Sequence, residues 1–578
     1  MQQAHPPHTT SDPGGEPPTP LPIEKPENGI KGLKHWRADL LAGFVVSLVS
    51  LPLSSGIAIA SGAPPIYGII SSVIAGLVFP FVGGSFVTIS GPAAGLAPAL
   101  LAIMVALGGA GDADHVGAGY DLLLVVIFLV GLAQIVMARL GLARFAGIFP
   151  ASVVEGMLGA IGVLILVKAL PLFFGYNEKI HAHGFFEYME EVPTWASQGD
   201  HMALAIGAVG LVVMLAVSTQ TARRFRLFQV IPPHLFAVVV GVIMALGVGL
   251  SADPRFLIQV PDNPFSGIHP PDFAGMLARV DLWGAAMVGA ITLTLIDGVE
   301  SLATAQAIDR IDPFHRRSEP DRVLRAMGIS NVLSSLVGGL TVIPGGVKSK
   351  TCIEAGGRTL WANFVNAGFL LVFLFIAPSL IALIPKATLG AILVYTGWRM
   401  VHPSIGKHLA EIGIEQVALY TFTILAILFT DLLIGVILGT IAKFGLIAVL
   451  ARREARSAGK EVSLRRILGD TFRDPVGKVD IDGATATFHI TRPLVCFNAY
   501  KLHEDLASLD PGVKEVILDI DAHTALIDHT ACEAMFSEVE SARGRTLEIR
   551  GLEQMHALSS HREAMRLQDV RRLHKAWR

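Results

Sequence analysis

Two stretches decide how this chain is read: Phe86-Val87-Thr88-Ile89-Ser90-Gly91-Pro92-Ala93-Ala94-Gly95 and Gly338-Gly339-Leu340-Thr341-Val342-Ile343-Pro344-Gly345-Gly346-Val347-Lys348. Each begins with β-prone residues, passes through Gly and Pro, and then turns into a short apolar helix. Both lie inside apolar sequence of membrane-spanning length, where a lipid-facing break in a helix leaves backbone groups without partners. Such breaks at matching places in two halves of a chain point to a transport site.

The surrounding sequence supports a membrane setting. The chain has 578 residues, of which 16% are charged, against about 25% in soluble domains. Its mean hydropathy is +0.57. Leu122–Ala138, Ala203–Val217, Leu235–Leu250 and Val417–Phe429 contain no charge. A bilayer core of about 30 Å takes about 20 apolar residues per helix. On that measure fourteen spans are expected, near 38–60, 66–84, 86–108, 120–138, 151–170, 201–219, 231–250, 282–306, 323–340, 342–357, 362–384, 387–401, 414–430 and 432–450.

Charge placement agrees with this division. Lys31, Lys34 and Arg37 precede the first span. Arg139 and Arg144 follow the fourth, and Arg223, Arg224 and Arg226 the sixth. Arg310, Arg316, Arg317 and Arg322 follow the eighth, Arg358 the tenth, Lys407 the twelfth, and Arg452, Arg453 and Arg456 the last. With both termini in the cytosol all of these lie inside, as the positive-inside rule requires, Lys386 being a minor exception. The two broken segments are then the third and tenth spans. They are seven apart and run in opposite directions, as an inverted repeat of seven plus seven demands. The fold class expected is an all-α polytopic membrane domain with two half-helices and a small α/β cytosolic domain.

Residues 1–29 hold eight prolines and no hydrophobic stretch, so a disordered cytosolic tail without a cleavable signal is expected. Residues 30–451 form the membrane domain, 452–470 a linker and 471–578 the soluble domain. In the last, Val479–Ile481, Asp482-Gly483 and Ala484–Ile490 read as a hairpin with a tight turn. Tyr500–Ser508 reads as helix, Glu515–Ile520 as a buried strand, Thr530–Ala542 as helix, Thr546–Arg550 as strand and Met555–Trp577 as helix in two pieces.

The chemistry is expected where the half-helices begin. Free N–H groups and the positive end of the helix dipole form an anion site without a cation. The donors would come from Ala93, Ala94 and Gly95 on one side, and from Gly345, Gly346, Val347 and Lys348 on the other. The Lys348 amine either binds the anion directly, or snorkels or pairs with Glu300. In the eighth span Asp297 and Glu300 are two carboxylates at membrane depth, which is a functional signal by default. Glu300 and Thr304 share a helix face. Glu300 is the candidate for carrying the coupling ion, a proton or Na⁺. Cys352, Cys496 and Cys532 have no metal-ligand or disulfide spacing. No metal or cofactor is expected, and no basic stripe suggests nucleic acid. The spans offer no Ser/His dyad or zinc-type His-x-x-x-His, which argues against an intramembrane enzyme; His402 and His408 sit near a cytosolic loop.

At these residues the chain resembles the sulfate permease (SulP) family of anion transporters, over about residues 35–555. The matching pieces are Leu51-Pro52, Ala60-Ser61-Gly62, Ile89-Ser90-Gly91-Pro92, Glu300-Ser301-Leu302 with Thr304-Ala305, Gly338-Gly339 and Gly356-Gly357-Arg358-Thr359. The resemblance implies secondary active transport of a small inorganic anion, sulfate or bicarbonate, by symport or exchange in an elevator-like cycle, with chloride or small dicarboxylates as further substrates. It also implies a homodimer. Nucleobase transporters resemble the same fold, and an uncoupled anion channel is the other alternative. The soluble domain resembles a STAS domain. Its Asp528-His529-Thr530-Ala531 stands where related proteins carry Asp-Ser-Ser/Thr-Gly, so phosphorylation at Thr530 is not expected. Relatives that take Na⁺ with bicarbonate tend to have Asp in place of Glu300, which favours a proton here. Compact loops suit a bacterial inner membrane.

Overall fold

The computed structural model describes residues 25–568, apart from 112–114, 144–149, 179–184, 220, 225–227, 229–231, 259–267, 315, 377, 431, 458–468, 470–471, 511, 522–523 and 542–545. The helical part comprises α1 (Trp36–Ala60), α2 (Pro65–Val82), β1 (Ile89–Pro92), α3 (Ala97–Leu107), α4 (Tyr120–Arg139), α5 (Ala151–Phe174), α6 (Phe185–Gln198), α7 (His201–Val217), α8 (Pro233–Gly247) and α9 (Phe273–Ala278). It continues with α10 (Trp283–Ile311), α11 (Pro320–Leu336), β2 (Val342–Gly345), α12 (Gly346–Glu354), α13 (Trp361–Ile376), α14 (Pro378–Ile381), α15 (Lys386–Met400), α16 (Pro403–Ile412), α17 (Ile414–Phe429) and α18 (Leu432–Ser457).

Among the described residues six helices are long and apolar enough to cross a membrane, or seven if the bent pair α6–α7 counts as one span. Four more apolar helices are shorter: α3, α8, α13 and α17. The 113° bend between α6 and α7 was not expected from the sequence. The helices sort by packing. One group joins α1 to α2 and α13, α2 to α11, and α4 to α10 and α11; in the other, α5 packs on α15, α17 and α18, and α7 on α8 and α15. Backbone contact is close in both. Gly131 of α4 and Gly328 of α11 face each other so that a Cβ on either would lie 2.6 Å from the other's carbonyl oxygen. Small residues permit such packing where lipid supplies no hydrophobic drive.

The tail assigned to residues 1–29 lies mostly outside the described residues. Its end is held to the helices: the Pro26 carbonyl accepts from Arg316 Nη1 at 2.8 Å, and Asn28 Nδ2 donates to Ser85 O at 2.6 Å.

The carboxyl-terminal part contains β3 (Val476–Asp482), β4 (Thr485–Ile490), α19 (Ala499–Ala507), β5 (Glu515–Ile520), β6 (Leu526–Ile527), α20 (His529–Ser541), β7 (Thr546–Arg550), β8 (Met555–Ala557) and β9 (Arg566–Gln568). Its sheet order is β3-β4-β5-β7, with the first pair antiparallel and the other two parallel. The hairpin turns at Gly483, whose φ of 55° suits glycine. The helix read into Met555–Trp577 is a correction. Residues 555–557 and 566–568 are strands in a second sheet, β6-β9-β8, and residues beyond 568 lie outside the description. Met565 and Leu567 are buried and alternate with half-buried Arg566 and Gln568, a period of two that a helical reading misses.

This domain packs on one helical group. Phe444 of α18 stacks on Phe497 with centroids 4.1 Å apart. Ile447 is buried among Val495, Cys496, Phe497, Leu526, Met565 and Leu567. The Ala151 N–H at the start of α5 donates to Thr530 Oγ1 at 3.0 Å, and Ser559 Oγ donates to Ile412 O at 2.6 Å.

Candidate functional site

β1 and β2 pair antiparallel, Ile89 opposite Gly345 and Pro92 opposite Val342. Each strand feeds a short helix, so α3 and α12 leave the ladder in opposite directions. At about 3.3 Å per residue the ladder is about 10 Å long, and the amino ends of the two helices flank it. Among the described residues the N–H groups of Ala93, Ala94 and Gly95 meet no carbonyl, while Leu96 and Ala97 close turns back to Ala93 and Ala94. The second helix starts at Gly346, after an extended Gly345. Its donors without an intrahelical partner are therefore Gly346, Val347 and Lys348.

Helix α10 lies across both ends. A methyl group on Gly95 would collide with the carboxylate of Glu300. One turn further on, the methyl of Thr304 lies 3.8 Å from the place a Cβ on Gly346 would take. The structure thus brings Glu300 to the tip of α3 and Thr304 to the tip of α12. Glu300 is buried, and its Oε2 has no hydrogen-bond partner among the described residues.

Lys348 is also buried. Its amine donates to Ser54 Oγ at 2.8 Å and to Ser72 Oγ at 3.1 Å, and these two hydroxyls are 2.8 Å apart. No ion pair joins it to Glu300, the alternative weighed from sequence. The amine lies over Gly91, where a Cβ would come within 2.5 Å of Nζ. Held by two hydroxyls and, among the described residues, by no carboxylate, the amine is in no ion pair that an anion would have to break. Lys350 is outside the site and lies 4.0 Å from Glu354.

Asp297 differs from Glu300. Its Oδ2 accepts from Gln134 Nε2 at 2.9 Å and Asn331 Nδ2 at 3.0 Å, and its Oδ1 from Ser301 Oγ at 3.2 Å. It is a satisfied group tying α10 to α4 and α11. Two asparagines escaped the sequence reading. Asn331 Oδ1 accepts the Val342 N–H of β2 at 2.6 Å. Asn363 Oδ1 accepts the Ser90 N–H of β1 at 2.9 Å. Each supplies a partner that the broken helix cannot supply to itself. The available signal was an amide inside an apolar run, which must be bonded. No group of three or more metal-ligating side chains occurs among the described residues.

Two broken helices meeting at a short ladder, inside a bundle of apolar helices, are the mark of a membrane transporter. The family model of the sulfate permease family matches residues 36–423, and the chain belongs to that family, whose members are transporters and not enzymes. YvdB of Bacillus subtilis, a protein named for sulfate transport, is 26% identical over 426 residues, 71% of this chain and 73% of that one. The bicarbonate transporter BicA of Picosynechococcus sp. is 25% identical over 410 residues, 70% of this chain and 69% of that one. Among solved structures, the transmembrane domain of a cyanobacterial BicA superposes with a TM-score of 0.59 at 24% identity, covering 70% of this chain and 98% of that one. Murine Slc26a9, an anion transporter in the inward-facing state, gives 0.62 at 16% identity, with 89% and 84% covered. These likenesses speak to fold.

Proposed function

We propose that this chain is a secondary active transporter of a small inorganic anion, sulfate or bicarbonate, which binds between the amino ends of α3 and α12. The observation that carries the reading is the geometry at the β1–β2 ladder. Free N–H groups of Ala93, Ala94 and Gly95 lie at one end and those of Gly346, Val347 and Lys348 at the other, with the buried Lys348 amine bonded to no carboxylate among the described residues. Backbone donors and a fixed cation suit an anion of modest size, and the small side chains let it reach the main chain. The order of elements around the two ladder strands supports fourteen spans in a seven-plus-seven inverted repeat, with both termini in the cytosol of a bacterial inner membrane. The two packing groups suit an elevator-like cycle, and a homodimer fits the family. The carboxyl-terminal sheet supports a STAS-like domain.

Glu300 takes the coupling ion in this reading, a proton in preference to Na⁺, with Thr304 beside it. A carboxyl placed over Gly95, its Oε2 without a hydrogen bond among the described residues, sits where substrate and coupling ion influence one another. Purified protein in liposomes, tested for uptake of labelled sulfate and of labelled bicarbonate with and without Na⁺ and a pH gradient, decides. Uptake of one anion that follows the pH gradient in the parent, and no longer does so in Glu300→Gln, is the expected result. Unchanged pH dependence in that variant removes the proton role, and uptake of neither anion ends the proposal.

A further inference from the structure

We infer that Asn331 is a positioning residue for the anion site: it fixes the amino end of α12 relative to the helix that carries Glu300. This deepens the proposed function and rests on it.

A strand inside a membrane domain is costly unless each backbone group has a partner. Along 338–342 the Gly338 and Gly339 N–H groups bond back to the Ser335 and Ser334 carbonyls of α11, and side chains from neighbouring helices take other groups. Tyr120 of α4 donates to Gly338 O at 2.5 Å. Ser71 of α2 accepts the Leu340 N–H at 2.7 Å, and Ser334 of α11 donates to Leu340 O at 2.7 Å. Asn331 takes the next group, the Val342 N–H at 2.6 Å. Val342 opens β2, whose last residue, Gly345, leads directly into α12.

Asn331 does more than close this account. Its Nδ2 donates to Gln134 Oε1 at 2.8 Å and to Asp297 Oδ2 at 3.0 Å. Asp297 lies three residues before Glu300 on the same helix, so the two are neighbours on its surface. Both faces of one buried amide are therefore in use: the oxygen holds the main chain that leads to the donors of α12, and the nitrogen holds α10. Gln134, Asp297 and Asn331 are all fully buried. In such surroundings a satisfied network specifies one arrangement, because losing a partner leaves a polar group bare. Asn363 makes the comparable main-chain contact to β1 from α13, but among the described residues no hydrogen bond joins it to α10, so Asn331 is the cross-tie between the anion donors and the carboxyl. Neither Leu, without polar atoms, nor Asp, without a donor, reproduces both bonds.

The test uses the full chain with Asn331→Ala, Asn331→Leu (which fills the volume) and Gln134→Ala. The last removes a neighbour in the network but keeps both the Val342 and the Asp297 bonds of Asn331. Hydrogen–deuterium exchange reads the tie without reference to transport. Peptides covering 338–348 should exchange at least tenfold faster in either Asn331 variant that purifies, and within twofold of the parent in Gln134→Ala. Liposome uptake of labelled sulfate and labelled bicarbonate gives the second readout. The apparent KM should rise at least tenfold with the maximal rate per folded molecule within threefold, and in Gln134→Ala it should stay within threefold. Parental exchange in the Asn331 variants overturns the inference, as does an equal rise in KM for Asn331 and Gln134 variants, which would mark general loosening. A parent that takes up neither anion refutes the transport reading instead, and the exchange arm still decides the tie.

Discussion

The contact most open to quantitative challenge is Lys443 with Asp528, which joins α18 to the carboxyl-terminal domain. The two charges are 3.8 Å apart and both side chains are fully buried. Lys443 Nζ has no hydrogen bond. Asp528 is better provided: Oδ1 accepts the Ala531 N–H at 2.8 Å, capping α20, and Oδ2 accepts the Cys496 N–H at 3.3 Å. At an effective dielectric of about 20 the attraction is about 4 kcal/mol, before desolvation is counted. The loss should then depend on which partner goes. Asp528→Asn keeps a capping oxygen but strands a buried ammonium, a change that costs about 3–5 kcal/mol. Lys443→Met leaves a carboxylate that still has two backbone donors, so a smaller loss of about 1–2 kcal/mol follows. The double variant should recover most of the difference. Pulse proteolysis of the full chain in detergent across a urea series reads unfolding of the soluble domain. With a slope of about 1.5 kcal/mol per M, Asp528→Asn should lower the midpoint by about 3 M. A shift below about 0.5 M, or a larger shift for Lys443→Met than for Asp528→Asn, would refute the reasoning.

Gly95→Ala should separate function from stability. The three atoms nearest the new methyl all belong to the Glu300 carboxyl, which can rotate away, so the melting temperature should stay within a few degrees while liposome uptake falls at least tenfold; parental uptake would show that Glu300 need not lie over Gly95. A second expectation concerns alkaline pH. Burial holds the thiol of Cys532 up at about 12 and that of Cys496 well above its ordinary value, with Asp528 adding to the latter. Both thiols stay neutral in the folded chain, and the stability this gives is complete below the unfolded value near 9 and lost as pH rises from 9 towards 12. The urea midpoint should therefore fall above pH 9, and less steeply in Cys496→Ser/Cys532→Ser; an identical slope in that variant would show that other groups set the alkaline limit.

The features visible in sequence were those that backbone chemistry dictates. Gly91-Pro92 and Pro344-Gly345 cannot continue a helix, so both breaks were legible, as was the turn at Asp482-Gly483. Glu300 and Thr304 share a face through helical spacing, and the structure places that face over both half-helix ends. Side-chain partners across the bundle are another matter. Spacing along one helix does not say what lies opposite, so the choice of Ser54 and Ser72 as partners for Lys348 in place of Glu300 was hidden. Gln134, Asn331 and Asn363 were hidden for the same reason, although each amide stands in apolar surroundings that demand a bond. Residues 555–568 were misread because the two strands, Met555–Ala557 and Arg566–Gln568, are three residues each, too short for a period of two to stand out.

The separation of Lys348 from Glu300 is what makes the arrangement useful to a carrier of anions. A direct pair at membrane depth would neutralise both groups, and an arriving anion would have to break it. Hydroxyls from Ser54 and Ser72 hold the amine without an ion pair, so the α12 side of the ladder keeps a donor that an anion can meet. The carboxyl over Gly95 has the opposite effect on the α3 side, where a second negative charge near the same N–H groups is disfavoured. If the anion binds at the ladder as proposed, its binding and the charge on Glu300 would be linked, and linkage is reciprocal: whatever neutralises Glu300 would favour the anion, and the anion would favour the neutral carboxyl. On the proposed reading, coupled movement of the two would need no further part, provided that the ends of α3 and α12 hold their distance from α10 throughout. That condition falls on the buried amides, and on Asn331 above the others, because it bonds to both α10 and the main chain entering α12.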